Sequence, residues 1–154
     1  MDGDQGQFLS FDIDGERYAI PVIDVEVVLE MPLVTRVPRA PEYVRGVVNH
    51  RGSVIPVVDL RVLFGLPSSD LQEERSVIVT EIMFDGEKLT AGVLADEVQE
   101  VLTLDAAIIE EAPSWGTSVD DRFIAGIAKH AGRFIILLKL EQALASAYSR
   151  VEER

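Results

Sequence analysis

The sequence predicts a mainly β fold built from two similar halves. Short apolar segments rich in β-branched residues alternate with polar turns, which is typical of strands and hairpins. The stretch 46–60 recurs as the stretch 126–140, with five identical residues at matching positions. The segments upstream of both stretches also keep their order and approximate spacing, which indicates an internal repeat. We therefore expect one domain over residues 1–154, with approximate subdomains 15–75 and 76–140.

The first predicted element is a β-hairpin in residues 7–20. Apolar and polar residues alternate up to Asp14-Gly15, a dipeptide that favours a type I′ turn, so Gly15 is predicted to be a structural turn glycine. Asp12, Asp14 and Glu16 resemble the start of a calcium-binding loop. The later oxygen ligands and the terminal glutamate of such a loop are missing, so no metal site is expected.

The next segment has the apolar spacing of a helix about two turns long. Pro21 can begin that helix, because its missing amide hydrogen would be unpaired at the first helical position. The residues that would share one helical face are Val22, Val25, Val28 and Leu29. Val27 and Met31 widen this surface, which is then either deeply buried or half of a groove. Prolines at positions 32, 38 and 41 keep the following connection extended.

The central hairpin lies within residues 46–60. Two apolar runs flank Asn49-His50-Arg51-Gly52, which we expect to form a four-residue loop ending on a glycine with positive φ. The repeat provides an internal control, because a residue that the hairpin requires should occur in both copies. Gly52 is matched by Gly132, whereas Arg51 is replaced by Ala131. The two glycines are therefore predicted to be structural, and Arg51 is the better candidate for function.

Pro56 lies in the return strand of the central hairpin. It removes a hydrogen-bond donor from the ladder, which predicts an edge strand or a bulge. The matching residue in the second copy is Ile136, so we expect the two halves to use this strand differently.

The remaining elements follow from the same kinds of pattern. The polar residues 67–75 are interpreted as a linker, and a strand from Ser76 to Met83 leads through the Asp85-Gly86 turn into a strand over 89–94. Gly86 is thus a further predicted turn glycine. Residues 105–122 are interpreted as a surface loop in which Trp115 contacts either a partner or the core. The apolar residues that predict a C-terminal amphipathic helix are Leu140, Leu144, Ala147, Tyr148 and Val151.

Composition narrows the class of function. The chain has no cysteine, which excludes disulfides and thiolate chemistry, and its net charge of −13 argues against nucleic-acid partners. It has neither an apolar leader nor a membrane-spanning stretch, so we expect a cytoplasmic protein without direct membrane insertion. The stretch 36–61 is nevertheless +3, with five arginines against two carboxylates. These arginines either balance nearby carboxylates or form a basic surface for an acidic protein partner.

No catalytic motif is evident. His50, Ser53 and Asp59 are close in sequence, but Ser53 is not in a nucleophile elbow, and a strand would hold Ser53 and Asp59 about 20 Å apart. No phosphate-binding loop, dinucleotide fingerprint or zinc motif occurs, so we expect neither an enzyme nor a cofactor. His50 and His130 occupy matching turn positions, which favours a shared role in the turn over a metal pair.

The sequence resembles the CheW family of chemotaxis coupling proteins over about residues 8–144. The resemblance rests on an ordered, gapped set of motifs, namely Val34-Thr35-Arg36-Val37-Pro38, the run from Ala40 to Gly52, the run from Ile55 to Arg61, the run from Gly92 to Val98 and the run from Gly132 to Leu138. It implies two SH3-like five-stranded β-barrels with short helices and a C-terminal helix. The first strand and the last helix are candidates for crossing between the halves.

The resemblance also implies a function. Proteins of this family join the cytoplasmic tips of methyl-accepting chemoreceptors to the regulatory domain of the histidine kinase CheA. The residues that the resemblance implies for these contacts are Val25, Val28, Val34, Gly46, Asn49 and Arg51. An arginine fork suits carboxylates or helix-end carbonyls, and the valines suit a helix laid in a groove. The alternative is a generic SH3-like module for proline-rich peptides, which would need an exposed aromatic cluster.

Three positions depart from the family pattern. The family usually has leucine where this chain has His50, aspartate where it has Lys139, and glutamate where it has Val27. Glu26 is one position away from the expected glutamate. Loss of that glutamate is expected to weaken or redirect receptor coupling, and His50 would add a pH-sensitive charge beside Arg51.

Overall fold

The computed structural model describes residues 5–65, 75–105, 109–110 and 123–145. The strands are β1 (Gln5–Ile13), β2 (Glu16–Pro21), β3 (Val25–Glu30), β4 (Val44–His50), β5 (Ser53–Val58), β6 (Ser76–Phe84), β7 (Glu87–Ala95), β8 (Glu97–Asp105), β9 (Ile109–Glu110), β10 (Ile124–His130) and β11 (Arg133–Leu138). Two short helices follow matching strands, α1 (Leu60–Leu63) after β5 and α2 (residues 140–145) after β11. Neither of them is long and apolar enough to cross a membrane.

The strands form two curled sheets that exchange hairpins. The first sheet has the order β3-β6-β7-β5-β4, and the second has the order β8-β1-β2-β11-β10-β9. The leading hairpin of the first half, β1–β2, thus lies among second-half strands, and the hairpin β6–β7 lies among first-half strands. A whole hairpin crosses in each direction, whereas the sequence suggested only a first strand and a last helix. The predicted subdomains 15–75 and 76–140 describe the repeat in the sequence. Each sheet combines strands from both of these halves, so the subdomain boundaries stay a prediction.

Each exchanged hairpin joins its host strands through an antiparallel ladder on one side, β1 with β8 and β6 with β3, and through a short parallel pair on the other. β2 pairs with β11 at Tyr18–Ile136 and Ala19–Leu137. β7 pairs with β5 at Gly92–Val57 and Val93–Val58. The two junctions are equivalent in the repeat, except that the second begins one residue later.

Pro56 accounts for that later start. It lies opposite Val47, whose amide and carbonyl both bond to Thr35 at 2.8 Å and therefore face away from β5. The backbone groups opposite Val47 in β5 likewise point away from β4, so the nitrogen of Pro56 faces β7. Because that nitrogen carries no hydrogen to donate, the parallel pair with β7 begins only at Val57. Its counterpart Ile136 does pair across the junction. The expectation that β5 is an edge strand is wrong, and the bulge lies in β4, between Val44 and Gly46.

Apolar side chains pack in three clusters. One cluster belongs to each sheet, and matching residues line them, such as Ile55 with Ile135 and Val57 with Leu137. The third cluster lies between the sheets and unites residues that the repeat relates to one another, namely Tyr43, Val58, Leu60, Leu63 and Phe64 of the first half and Phe123, Leu138, Leu140, Ala143 and Leu144 of the second. The α2 residues Leu140 and Leu144 are therefore core residues, as predicted. Ala147, Tyr148 and Val151 lie outside the described residues.

The predicted helix after Pro21 is wrong. Residues Val22–Asp24 form a single 3₁₀ turn, and the chain then continues as β3, which pairs with β6. A register shift between Val25 and Val27 places an extra residue, Glu26, in β3. This bulge interrupts the two-residue alternation, so that Val25 and Val28 pack on the central cluster while Val27 packs on the cluster of the first sheet. The resulting three-residue spacing imitates one face of a helix.

Other predicted elements have mixed outcomes. The strands predicted over 76–83 and 89–94 are present as β6 and β7. Part of the predicted loop 105–122 is the strand β9, which pairs with β10 and gives its sheet six strands instead of five. Trp115 and the linker residues 67–74 lie outside the described residues.

Candidate functional site

The turn between β4 and β5 presents Arg51 to solvent. His50 pairs directly with Ser53, so the loop contains two residues and not the predicted four. Arg51 and Gly52 have φ of 56° and 81°, and both central residues of a type I′ turn require positive φ. Gly15, Gly86 and Gly132 have φ of 78–83° at the equivalent position of the other turns. In the second copy Ala131 has φ of 53°, so the backbone at position 51 does not depend on arginine.

Asn49 supports this turn from within β4. Its side chain is exposed, and its Oδ1 accepts a hydrogen bond from the amide of Gly52 at 3.2 Å. The second copy has Lys129 at this position, which cannot accept such a bond. Asn49 therefore has a local function in holding the turn, in addition to the partner contact that the resemblance implies.

Gly46 is held by a close approach of backbone to backbone. A Cβ atom built on it would lie 2.4 Å from the carbonyl oxygen of Thr35 and 2.9 Å from Val34 Cγ1. Gly126, its counterpart, also lies close to an edge segment, because a Cβ built on it would lie 2.6 Å from Ile109 Cγ2 and 3.0 Å from the carbonyl oxygen of Glu110 in β9. Residues 34–35 and β9 are thus equivalent edge segments. Gly46 is a residue that the hairpin requires in both copies, and its partner contact stays a prediction.

The three valines of the predicted groove do not share one surface. Val25 and Val28 are half-buried against the central cluster, whereas Val34 packs against the cluster of the first sheet. The most exposed apolar residues near these segments are Ile23 at 89%, Met31 at 64%, Leu33 at 85% and Val54 at 68%. Among them, only Met31 had been singled out from the sequence. Leu33 follows Pro32, which cannot continue a helix or a central strand. An apolar residue after such a proline is a candidate for exposure, so the sequence contained a signal for Leu33.

The arginines of the basic stretch divide into two groups. Arg45 binds the buried carboxylate of Asp59 at 2.9 Å, and Arg61 pairs with Asp14 at 2.9 Å. These two balance nearby carboxylates, as one of the two interpretations stated. Arg36, Arg39 and Arg51 are exposed, and none of them has an ion pair among the described residues. The exposed cations therefore belong to the connection before β4 and to the turn after it.

Three of the polar residues considered for chemistry, Asp59, Asp12 and Glu16, have structural partners. Asp59 caps α1 by accepting a hydrogen bond from the amide of Arg61 at 3.0 Å, in addition to its contact with Arg45. Asp12 binds Arg17 and Gln99, and Glu16 accepts a hydrogen bond from the hydroxyl of Tyr18. Within the described ranges no group of three His, Cys, Asp or Glu residues could hold a metal ion.

The fold of the whole chain matches that of a solved protein structure. Two curled β subdomains with an exposed hairpin turn match a crystal structure described as the scaffolding protein TtCheW from Thermoanaerobacter tengcongensis, with a TM-score of 0.77 and 33% sequence identity. The match covers 90% of this chain and 86% of that one. It confirms the predicted fold class, which is mainly β with two SH3-like subdomains.

The sequence comparisons give the family. The family model for the CheW-like domain matches residues 7–148. Chemotaxis protein CheW of Thermotoga maritima is 34% identical over 141 residues, which is 90% of this chain and 87% of that protein. Chemotaxis protein CheW of Klebsiella aerogenes is 31% identical over 140 residues, which is 91% of this chain and 82% of that protein. The chain belongs to the CheW-like domain family.

Proposed function

We propose that this protein is a non-enzymatic cytoplasmic adaptor that couples methyl-accepting chemoreceptors to the regulatory domain of the histidine kinase CheA. Membership of the CheW-like family supports this role, because the relatives are named chemotaxis proteins and the matching solved structure is described as a scaffolding protein. The proposed contact residues are Val25, Val28, Val34, Gly46, Asn49 and Arg51.

The observation that carries the proposal is the exposed arginine at position 51. Arg51 occupies a turn position whose backbone conformation is kept by alanine in the second copy. The fold therefore does not explain why an arginine is present there. A guanidinium at the tip of a hairpin is free to bind a carboxylate or the carbonyls at a helix end.

The surroundings of Arg51 favour an acidic, amphipathic partner. Arg36 and Arg39 are exposed on the connection before β4, and Val54, the second residue of β5 after the turn, is 68% exposed. Cations beside exposed apolar side chains suit a helix with one apolar face and one acidic edge.

The alternative, an SH3-like module for proline-rich peptides, lacks the surface it needs in the described part of the chain. Proline-rich peptides dock against several aromatic side chains that line one groove. Of the aromatic residues within the described ranges, Phe134 alone is exposed. A single phenylalanine does not make such a groove.

The test is co-sedimentation with a receptor cytoplasmic fragment and with the CheA regulatory domain, comparing wild type with Arg51→Ala. We expect wild type to bind both partners and Arg51→Ala to lose about tenfold or more in affinity for at least one, as truncation of an interface arginine commonly does. Lys129→Ala is the matched control, because Lys129 is an exposed cation on the equivalent hairpin. Its affinities should equal those of wild type.

Two outcomes would contradict the proposal. Failure of wild type to bind either partner would separate the fold from the adaptor function. Equal losses in Arg51→Ala and Lys129→Ala would mean that overall charge, and not the turn, determines binding.

A further inference from the structure

His50 and Glu26 lie together at the point where the first sheet closes on itself. They belong to β4 and β3, the two outer strands of the five-stranded sheet, and no ladder joins these strands in the described structure. The Nε2 atom of His50 is 3.8 Å from Oε2 of Glu26. The two side chains therefore face each other across the seam of the barrel.

The Nε2 atom of the half-buried His50 side chain is buried without a hydrogen-bond partner in the described part of the chain. The His50 side chain is 14% exposed, and its Nε2 has no partner among the described residues. A separation of 3.8 Å is about 0.8 Å longer than a usual N–H···O hydrogen bond. A buried polar atom without a partner is unfavourable, and closing this short gap would satisfy it.

The backbone of β3 contributes to this approach. Glu26 is the extra residue of the bulge between Val25 and Val27, and a bulge turns its side chain away from the regular alternation. In the second copy, β8 has a bulge opposite Ser10, where Gln99 donates to Asp12 at 2.9 Å. The bulge is common to both halves, whereas a carboxylate directed at the turn histidine belongs to the first half.

The two histidines differ in the same way. His130 matches His50 in sequence, yet its side chain is exposed and has no ion pair among the described residues. The sequence suggested a shared role for the two histidines in their turns. Their different surroundings indicate different roles. His50 also departs from the leucine usual in the family, and Glu26 lies beside the departure at Val27.

We propose that Glu26 and His50 form a charge-dependent latch that positions the Arg51 turn against β3. A protonated imidazole carries hydrogens on both nitrogens and is attracted to the Glu26 carboxylate, so it would draw the end of β4 onto β3. Arg51 follows His50 directly and would move with it. At higher pH the imidazole is neutral, and the attraction is lost.

The charges around His50 are unequal in their effect on the latch. Glu26 on β3 carries the charge opposite to that of an imidazolium, and the adjacent Arg51 carries the same charge as an imidazolium. The facing strand β5 has no charged residue, and Ser53 is the direct cross-strand neighbour of His50. Glu26 is thus the group whose removal should abolish the latch.

The first experiment measures the latch without any partner. Amide signals of Arg51 and Gly52 in the full chain are recorded by NMR between about pH 8 and about pH 6, the range in which imidazoles commonly titrate. We expect them to shift in wild type and to shift by less than about half as much in Glu26→Gln, where the ring can still be protonated but lacks its counter-charge. Glu30→Gln, which removes an exposed carboxylate from the same strand, and His130→Gln are controls that should behave as wild type.

The second experiment tests the consequence for binding, which rests on the proposed function. Affinity for the receptor fragment should differ about threefold or more between these pH values in wild type, and by less than about 1.5-fold in Glu26→Gln and in His50→Leu. Equal NMR shifts in wild type and Glu26→Gln would overturn the latch. If the latch is present but no receptor binding is detected at either pH, the proposed function fails and the latch does not.

Discussion

The two copies of the long hairpin, β4–β5 and β10–β11, share a backbone and differ in their exposed side chains. Both have a two-residue turn with positive φ, a glycine pressed against an edge segment, and matching buried residues in their strands. The first copy exposes Asn49, Arg51 and Val54, whereas the second exposes Lys129, Ala131 and Phe134 at the same positions. Shared residues therefore define the fold, and differing residues are candidates for what each half binds.

The largest expected effect is that of a methyl group at the close approach in the first copy. Gly46→Ala places a Cβ 2.4 Å from the carbonyl oxygen of Thr35, in a backbone conformation that favours glycine. We expect a loss of about 3 kcal/mol or more in the free energy of unfolding, measured by urea denaturation. Gly126→Ala should lose less, about 1–2 kcal/mol, because its closest contact is a side-chain atom, the Cγ2 methyl of Ile109, and the nearest backbone atom, the carbonyl oxygen of Glu110, is farther away at 3.0 Å.

Equal losses of unfolding free energy in the two variants would contradict the prediction, because they would show that a side-chain contact at Gly126 is as costly as the backbone contact at Gly46. A loss below about 1 kcal/mol in Gly46→Ala would mean that the 34–35 segment can be displaced from β4 without disturbing the sheet.

The next effect separates structure from function within one turn. Gly52→Val introduces a β-branched residue at φ of 81° and should cost about 2 kcal/mol, and Gly132→Val should cost the same at φ of 78°. Arg51→Ala should change stability by less than about 0.5 kcal/mol, because Ala131 already occupies the equivalent conformation. Melting curves of the three variants make the comparison. A large loss in Arg51→Ala would make that residue structural and remove the main support for the proposed site.

The Asp-Gly turns and the repeat were predictable from sequence, whereas the turn of the central hairpin was predicted with four residues and has two. Asp14-Gly15 and Asp85-Gly86 specify two-residue turns, and the recurrence of 46–60 required only comparison of the chain with itself. The exchange of hairpins was not predictable, since strand order depends on contacts between residues far apart in sequence. The helix predicted after Pro21 failed because a bulge at Glu26 gave β-branched residues a helix-like spacing.

The candidate site was predictable where residue identity differs between copies, as at Arg51. It was not predictable where a residue's availability for contact depends on whether its side chain is exposed. Val25, Val28 and Val34 are half-buried against two different clusters, whereas Ile23 and Leu33 are exposed. An apolar residue does not reveal from its type alone which of these surroundings it has.

The smallest effect concerns the exchanged hairpins β1–β2 and β6–β7. Asp12 and Arg17 pair across the first at 2.8 Å, and the matching positions of the second are Met83 and the exposed Lys88. Hydrogen bonds from Arg17, with its charge and a further bond from Gln99, outweigh burial and lower the pKa of the Asp12 carboxyl. A lowered pKa in the folded state contributes stability above the unfolded value, near 3.9, and that stability is lost as pH falls through the folded value.

Asp12→Asn should therefore cost about 1 kcal/mol at neutral pH and progressively less below about pH 4, as measured by urea denaturation across that range. Glu81→Gln is the control on the second hairpin, where Lys88 lies 3.7 Å from Glu81 and both side chains are exposed. It should cost less than about 0.3 kcal/mol at any pH. A cost of Asp12→Asn that stays constant as the pH falls would show that shape, and not the charge of the carboxylate, joins this hairpin to the sheet of the other half.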